Sequence, residues 1–156
     1  MHRLTRTLLV ALAVASAVLY VGPAVAFAQG YLSALESNKK VVFDFYRLVV
    51  EPRNADLLEL YLAPDFFDHD GDQKGSEAVA KWLKSLPPAA SDDVAETLRN
   101  PPAFIMANGD LVTWMFKQSV PDPKDKSKMV DRYSVDVFRV KDRKIAEHWK
   151  GLANLP

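Results

Sequence analysis

The feature that most constrains this chain is a change of period. Up to residue 86 the apolar side chains recur at three- and four-residue intervals, and beyond residue 93 they alternate. Intervals of three and four gather apolar groups on one stripe of a helix; alternation gathers them on one face of a strand. Helices first and strands later exclude a regularly alternating βαβ plan. They leave an α+β domain whose helices pack on one face of an antiparallel sheet. At 156 residues the chain makes one domain rather than two.

The spacing predicts three helices. Val42, Phe45 and Val49 form the inner stripe of the first, over 38–50. Lys40, Asp44, Arg47 and Glu51 alternate in sign along its solvated side, and Pro52 stops it. Residues 29–37 read as a loosely held lead-in. Asn54 stands where it can cap a second helix over 55–62, with Leu57, Leu58 and Tyr61 inward and Pro64 ending it. Residues 65–72 read as a short strand running into an acidic loop. Ser76 is placed to cap the third helix, which carries Val79, Trp82, Leu83 and Leu86 inward and closes at Pro87-Pro88. A strand is expected over 93–99. A hairpin over 104–119 turns around Asn108-Gly109, the strongest short hairpin signal. Residues 121–128 read as a polar turn, and 130–140 with 145–151 as a second hairpin around Lys141-Asp142-Arg143.

The N-terminus carries an address. Arg3 and Arg6 precede an apolar run, Gly22-Pro23 interrupts it, and Ala26-Phe27-Ala28 is a small-x-small site before Gln29. That order predicts a secretory signal peptide over 1–28 and a mature domain over 29–156, exported to a periplasmic or extracellular setting. The alternative is an uncleaved N-terminal helix that anchors the chain. Cleavage removes two arginines and no acid, which leaves a charge of −2. After cleavage no membrane association is expected.

Composition and spacing remove several chemistries. The absence of Cys excludes disulfides, Cys-ligated zinc, iron–sulfur clusters and thiol catalysis. Twenty basic residues against twenty acidic ones give no surplus for nucleic acid. Asp68, Asp70 and Asp72 have the alternation of a calcium loop. Gln73 stands where such a loop needs Gly, and Val79 where it needs a bidentate Glu, so no metal is expected. No Gly-rich phosphate loop and no nucleophile elbow is present, and no cofactor is expected.

Certain strings resemble the SnoaL-like branch of the nuclear transport factor 2-like superfamily. They are Asn38-Lys39-Lys40 with Phe43-Asp44-Phe45-Tyr46, then Tyr61-Leu62-Ala63-Pro64-Asp65, then Phe67-Asp68-His69. The most specific is Val135-Asp136-Val137-Phe138-Arg139-Val140 followed by Lys144-Ile145-Ala146-Glu147-His148-Trp149. The resemblance implies a cone-shaped barrel: a strongly bent antiparallel sheet with the three N-terminal helices packed on its concave side, around a pocket. Homodimers are frequent in the superfamily. Its members include polyketide cyclases, isomerases and dehydratases, together with non-catalytic proteins, so the fold alone does not fix a function.

The resemblance directs attention to four side chains. SnoaL-type cyclases use a histidine and an aspartate as an acid–base pair; their histidine position matches Asp136 here, and their aspartate matches Lys150. An ammonium donates where a carboxylate accepts. With the turn form usual in the family, Lys141-Asp142 make a type I turn and Arg143 takes a left-handed bulge position at a cost of roughly 1 kcal/mol. Asp136 then faces His148; a two-residue loop instead sets Asp136 opposite Trp149. His69, at the end of the first predicted strand, matches a position that commonly lines the pocket. The catalytic candidates are therefore Asp136, His148, His69 and Lys150. The candidates for ligand contact are Tyr46, Tyr61, Phe67, Trp82, Trp114 and Phe138. The expected partner is a small apolar or carbonyl-containing molecule, converted by cofactor-free acid–base chemistry of isomerase, cyclase or dehydratase type; the alternative is a non-catalytic domain that binds a small ligand or serves dimerisation.

Overall fold

The computed structural model describes residues 23–90 and 94–151. Most of the signal-peptide segment and the tail 152–156 lie outside them. A long helix α1 (Pro23–Phe45) continues into a π-helical turn (Tyr46–Val50). A 3-10 turn (Ala55–Leu57) leads to the single turn α2 (Leu58–Tyr61), then β1 (Leu62–Asp68), β2 (Gln73–Lys74) and α3 (Ser76–Ser85). Then follow β3 (Phe104–Asn108), β4 (Leu111–Pro121), β5 (Met129–Lys141) and β6 (Lys144–Gly151). The class is α+β, as the period change requires.

The six strands form one curved sheet in the order β2-β1-β6-β5-β4-β3, and its edges do not meet, so the barrel is not closed. The antiparallel expectation fails at one pair: β1 runs parallel to β6. A parallel neighbour needs a long crossover, and here the crossover is everything from β2 to β5. Val42 and Phe45 of α1 and Val49 of the π-turn join Val112, Trp114 and Phe138 of the sheet in one core. The far side of this core is closed by Leu58, Phe66, Val79 and Leu83.

Several local expectations need correction. The lead-in is helical: residues 29–37 lie within α1. Residues 26–34 are nonetheless exposed. The α-helix does not run to Val50: the Glu51 N–H donates to the Tyr46 carbonyl at 2.8 Å, an i→i−5 bond that widens the last turn. The second helix is shorter than expected, since Leu62 already begins β1. Pro64 falls inside β1, where the β1–β6 register shifts between Leu62 and Phe67 and no ladder N–H is needed. Asn54 does cap, accepting the Asp56 N–H at 3.1 Å. Ser76 does not; the N-cap of α3 is Gly75, at φ +79.

Residues 94–99 form no strand. Their backbone is held by side chains instead. Arg47 Nη1 donates to the Ala95 carbonyl at 3.1 Å, and the Glu51 carboxylate accepts the N–H groups of Arg99 and Asn100 at 3.1 and 3.0 Å. Glu51 is thus a clamp rather than a solvated charge. The first hairpin closes by a two-residue loop, with Asn108 opposite Leu111 and Gly109 at φ +60, as a type II′ turn requires.

Candidate functional site

The curved sheet, the end of α1 and α3 enclose a cavity of about 540 Å³. The π-turn delivers Tyr46, β1 delivers Asp68, β5 delivers Asp136 and Phe138, β6 delivers His148 and Lys150, and α3 delivers Trp82. Most of the exposed wall is apolar, and polar side chains from several elements enter it, which is the usual form of a small-molecule site.

The register of β5 and β6 places these groups, and it matches neither expected alternative. Lys141 opposes Lys144, so the loop has two residues, Asp142 and Arg143, at φ +49 and +61. Positive φ at both is the type I′ pattern. A bulge then follows: Val140 opposes Ile145, but Arg139 opposes Glu147, leaving Ala146 as the extra residue. Asp136 consequently opposes Lys150, not His148 and not Trp149. His148 opposes Phe138 and still shares the face of Asp136, one diagonal step away.

Asp136 is the one buried charged side chain among the described residues. Its Oδ2 accepts the Tyr46 hydroxyl at 3.0 Å and lies 3.8 Å from His148 Nε2, an ion-pair distance beyond hydrogen-bond reach. On the other side of the imidazole, Nδ1 lies 3.2 Å from Asp68 Oδ1. Three of these groups thus form a row, Asp68–His148–Asp136, with Tyr46 at its inner end. Asp136 Oδ1 and His148 Nε2 are buried and have no hydrogen-bond partner among the described residues.

The titration of the row follows from its geometry. Burial disfavours the charged imidazolium, but the carboxylates of Asp136 and Asp68 outweigh it, and the His148 pKa is raised. Burial, reinforced by the neighbouring Asp136 carboxylate, pushes the Tyr46 hydroxyl well above its usual value. Tyr46 therefore remains a donor across the working range of pH.

Of the sequence-predicted residues, Asp136, His148, Lys150, Tyr46, Trp82 and Phe138 line the cavity. Lys150 is exposed at its rim, and Trp82 is 45% exposed at its mouth. Four others are placed elsewhere. His69 is on the outer face of the sheet, stacked on Trp149 at 4.4 Å and bonded through Nε2 to Glu147 at 2.8 Å. Phe67 packs against His69 on that face. Trp114 is fully buried beneath Tyr46, ring on ring at 4.5 Å. Tyr61 lines a separate hollow beside the β5–β6 turn. Asp68, which the sequence brought forward only in the calcium-like alternation and the resembling string, also lines the cavity.

Among the described residues no group of three or more His, Asp or Glu is placed to hold a metal ion, and no helix is long and apolar enough to cross a membrane.

The family model for the SnoaL-like domain matches residues 42–148. No curated protein matches the sequence. Solved structures do. An NTF2-like protein of unknown function from Burkholderia pseudomallei K96243 superposes with a TM-score of 0.51 at 17% identity, over 74% of this chain and 90% of that one. A de novo designed protein with a curved β-sheet gives 0.50 at 17% identity, over 76% and 87%. At such identities the likeness is one of fold alone.

Proposed function

The chain belongs to the SnoaL-like family, and from that premise and its cavity we propose that it performs cofactor-free acid–base chemistry on a small, largely apolar carbonyl compound. The reaction is of isomerase, cyclase or dehydratase type. The observation that carries this reading is that Asp136 and His148, two residues of the cavity lining, each carry a buried polar atom, Oδ1 and Nε2, with no hydrogen-bond partner among the described residues. Buried polar atoms ordinarily find partners, and a lone one costs about 1–3 kcal/mol. A ligand that supplies both partners recovers that cost.

The roles follow from the donors and acceptors. Tyr46 occupies Oδ2 of Asp136 and leaves Oδ1 for the substrate. Oδ1 takes a proton from the carbon beside the carbonyl; the C–H bond breaks and its electron pair moves onto the carbonyl oxygen. Protonated His148 donates from Nε2 to that oxygen as its charge grows. Lys150 at the rim receives a polar or anionic end of the substrate.

Wild-type protein, Asp136→Asn and His148→Gln are incubated in D₂O with a panel of small ketones and β-dicarbonyl compounds, and deuterium at the α-carbon is read by NMR. Wild type exchanges at least one compound faster than buffer, and Asp136→Asn loses that rate. Exchange that survives Asp136→Asn overturns the mechanism. A second reading is a ligand carrier, favoured by Lys150, a cation where the resembling cyclases hold an aspartate. Binding without exchange, unaffected by Asp136→Asn, selects the carrier.

Export is part of the same proposal, supported by Arg3, Arg6 and the Ala26-Phe27-Ala28 site. Cleavage after Ala28 removes only exposed residues among those of α1 whose side chains are described. The N-terminal mass of protein recovered from the exported fraction tests it; retention of Met1 refutes it. A homodimer is proposed with it, supported by the exposed Phe104 and Met106 on β3, and sedimentation equilibrium decides it.

A further inference from the structure

We propose that Asp68 is the positioning residue of this site: its carboxylate holds the His148 imidazole with a proton on Nδ1, so that Nε2 is the atom presented to Asp136 and to a ligand. The inference rests on the acid–base reading of the cavity and adds to it the residue that decides which imidazole nitrogen does the work.

Asp68 Oδ1 already accepts the Asp70 N–H at 3.0 Å and lies 3.2 Å from His148 Nδ1. An ionised carboxylate only accepts, so a short contact with an imidazole nitrogen requires that nitrogen to carry hydrogen. The alternative tautomer sets a lone pair against a carboxylate oxygen.

The backbone fixes this contact independently of the side chains. Asp68 and His148 are register partners across the parallel β1–β6 pair, and the next N–H, that of His69, donates to the His148 carbonyl at 2.8 Å. The Phe138 ring stacks on the imidazole at 4.8 Å and 22° and holds its plane. With position, plane and tautomer fixed, the variable proton of His148 is the one on Nε2.

That atom faces Asp136 Oδ2 at 3.8 Å. A bare Nε2 lone pair there is repelled by the carboxylate, and an N–H is attracted. The groups about the ring are Asp68 from β1, Asp136 from β5, the Tyr46 hydroxyl from the π-turn and Lys150 two residues along β6; Glu51, Arg53 and Asp70 line the same cavity. The two carboxylates adjoin the ring on opposite sides, at 3.2 and 3.8 Å, and they hold its pKa up against burial. Asp68 thus has two effects that can be separated: it selects the tautomer by hydrogen bonding, and it stabilises the imidazolium by charge.

Two-bond ¹H–¹⁵N correlation spectra of the ¹⁵N-labelled chain read both effects, with the His69→Gln variant used to assign the His148 signals. In wild type the neutral His148 ring carries its proton on Nδ1 and titrates above the ordinary histidine value. Asp68→Asn keeps an acceptor oxygen in place, so Nδ1–H persists while the pKa falls by about one pH unit. Asp68→Ala loses both: the Nε2–H tautomer appears and the pKa falls. Asp136→Asn lowers the pKa and leaves Nδ1–H in place. A neutral wild-type ring protonated on Nε2 overturns the proposal, as does an Asp68→Ala ring with wild-type tautomer and pKa. None of these readouts needs a substrate. Positioning that holds while no carbonyl compound is exchanged removes the catalytic reading and leaves the role of Asp68 intact. Exchange that holds while the tautomer is wrong does the reverse.

Discussion

Replacing Tyr46 by Phe isolates one interaction at the inner end of the site. The phenol ring is held by neighbours that Phe retains: it stacks on Trp114 at 4.5 Å and 19° and meets Phe45, Phe116 and Phe138 edge-on at 5.8, 5.4 and 5.9 Å. What is lost is the hydroxyl's bond to Asp136 Oδ2. Since Asp136 Oδ1 has no hydrogen-bond partner among the described residues, the variant leaves a buried carboxylate with none there. A hydrogen bond to a charged group contributes about 1.5–3 kcal/mol. With a urea slope of about 2 kcal/mol/M for a domain of this size, the midpoint falls by roughly 1 M. The assay is urea unfolding at pH 7, followed by fluorescence, for wild type, Tyr46→Phe, Asp136→Ala and the double variant. The second half of the cycle matters, because in the Asp136→Ala background the hydroxyl has no carboxylate to serve and Tyr46→Phe costs at least 1 kcal/mol less. A Tyr46→Phe midpoint equal to wild type, or the same loss in both backgrounds, refutes the reasoning.

Three further outcomes are expected. Glu51→Ala removes the acceptor for two consecutive amides and costs about 1–3 kcal/mol; the Arg99 and Asn100 N–H groups should exchange with solvent faster, and unchanged protection contradicts the clamp. Arg143→Gly relieves a left-handed residue at φ +61 and should raise stability by roughly 0.5–1 kcal/mol once the added freedom of the unfolded chain is counted; a loss shows contacts that outweigh the strain. The raised pKa of His148 gives the sign of its linkage to folding. Its stabilisation is fully present below the unfolded value of about 6.5 and is lost as pH rises through the higher folded value. The urea-midpoint gap between wild type and His148→Gln should therefore be wider at acid pH and narrow toward alkaline pH; a gap that widens with pH shows the opposite shift.

Where a local signal has one physical cause, the sequence showed it. Asn54 caps because its side chain reaches the Asp56 N–H whatever the tertiary setting. The hairpin signalled by Asn108-Gly109 turns, one residue further on, at Gly109-Asp110, because Gly takes positive φ freely. Val79 and Leu83 bury as their helical stripe requires. Signals with two readings failed. The alternation over 93–99 fits a strand, but the backbone there is strapped across the π-turn by Arg47 and Glu51, contacts more than 45 residues apart in sequence. The π-turn leaves no mark on a 3.6-residue pattern, since one widened turn moves each later side chain only slightly. Asp68 was hidden by its neighbours. Phe66 and Phe67 are both large and apolar, so the parity of β1 is undecided by sequence, and one choice puts His69 in the cavity while the other puts Asp68 there. The structure buries Phe66, and Asp68 follows it inward.

Parity also explains why the two turn-based registers missed and yet Asp136 and His148 meet. A strand changes face with every residue, so an odd slip turns a whole set of side chains from cavity to solvent. The two-residue Asp142-Arg143 loop by itself sets Asp136 opposite Trp149 and sends His148 and Lys150 outward. The bulge at Ala146 adds one residue and restores the face. Loop and bulge are therefore a single device, and loop length alone could not disclose it. Ile145 and Ala146, consecutive at the bulge, are both buried. The Ala146-Glu147-His148 string thus encodes the site in a specific order: the extra residue of the bulge, a charge for the outer face, and the imidazole returned to the cavity.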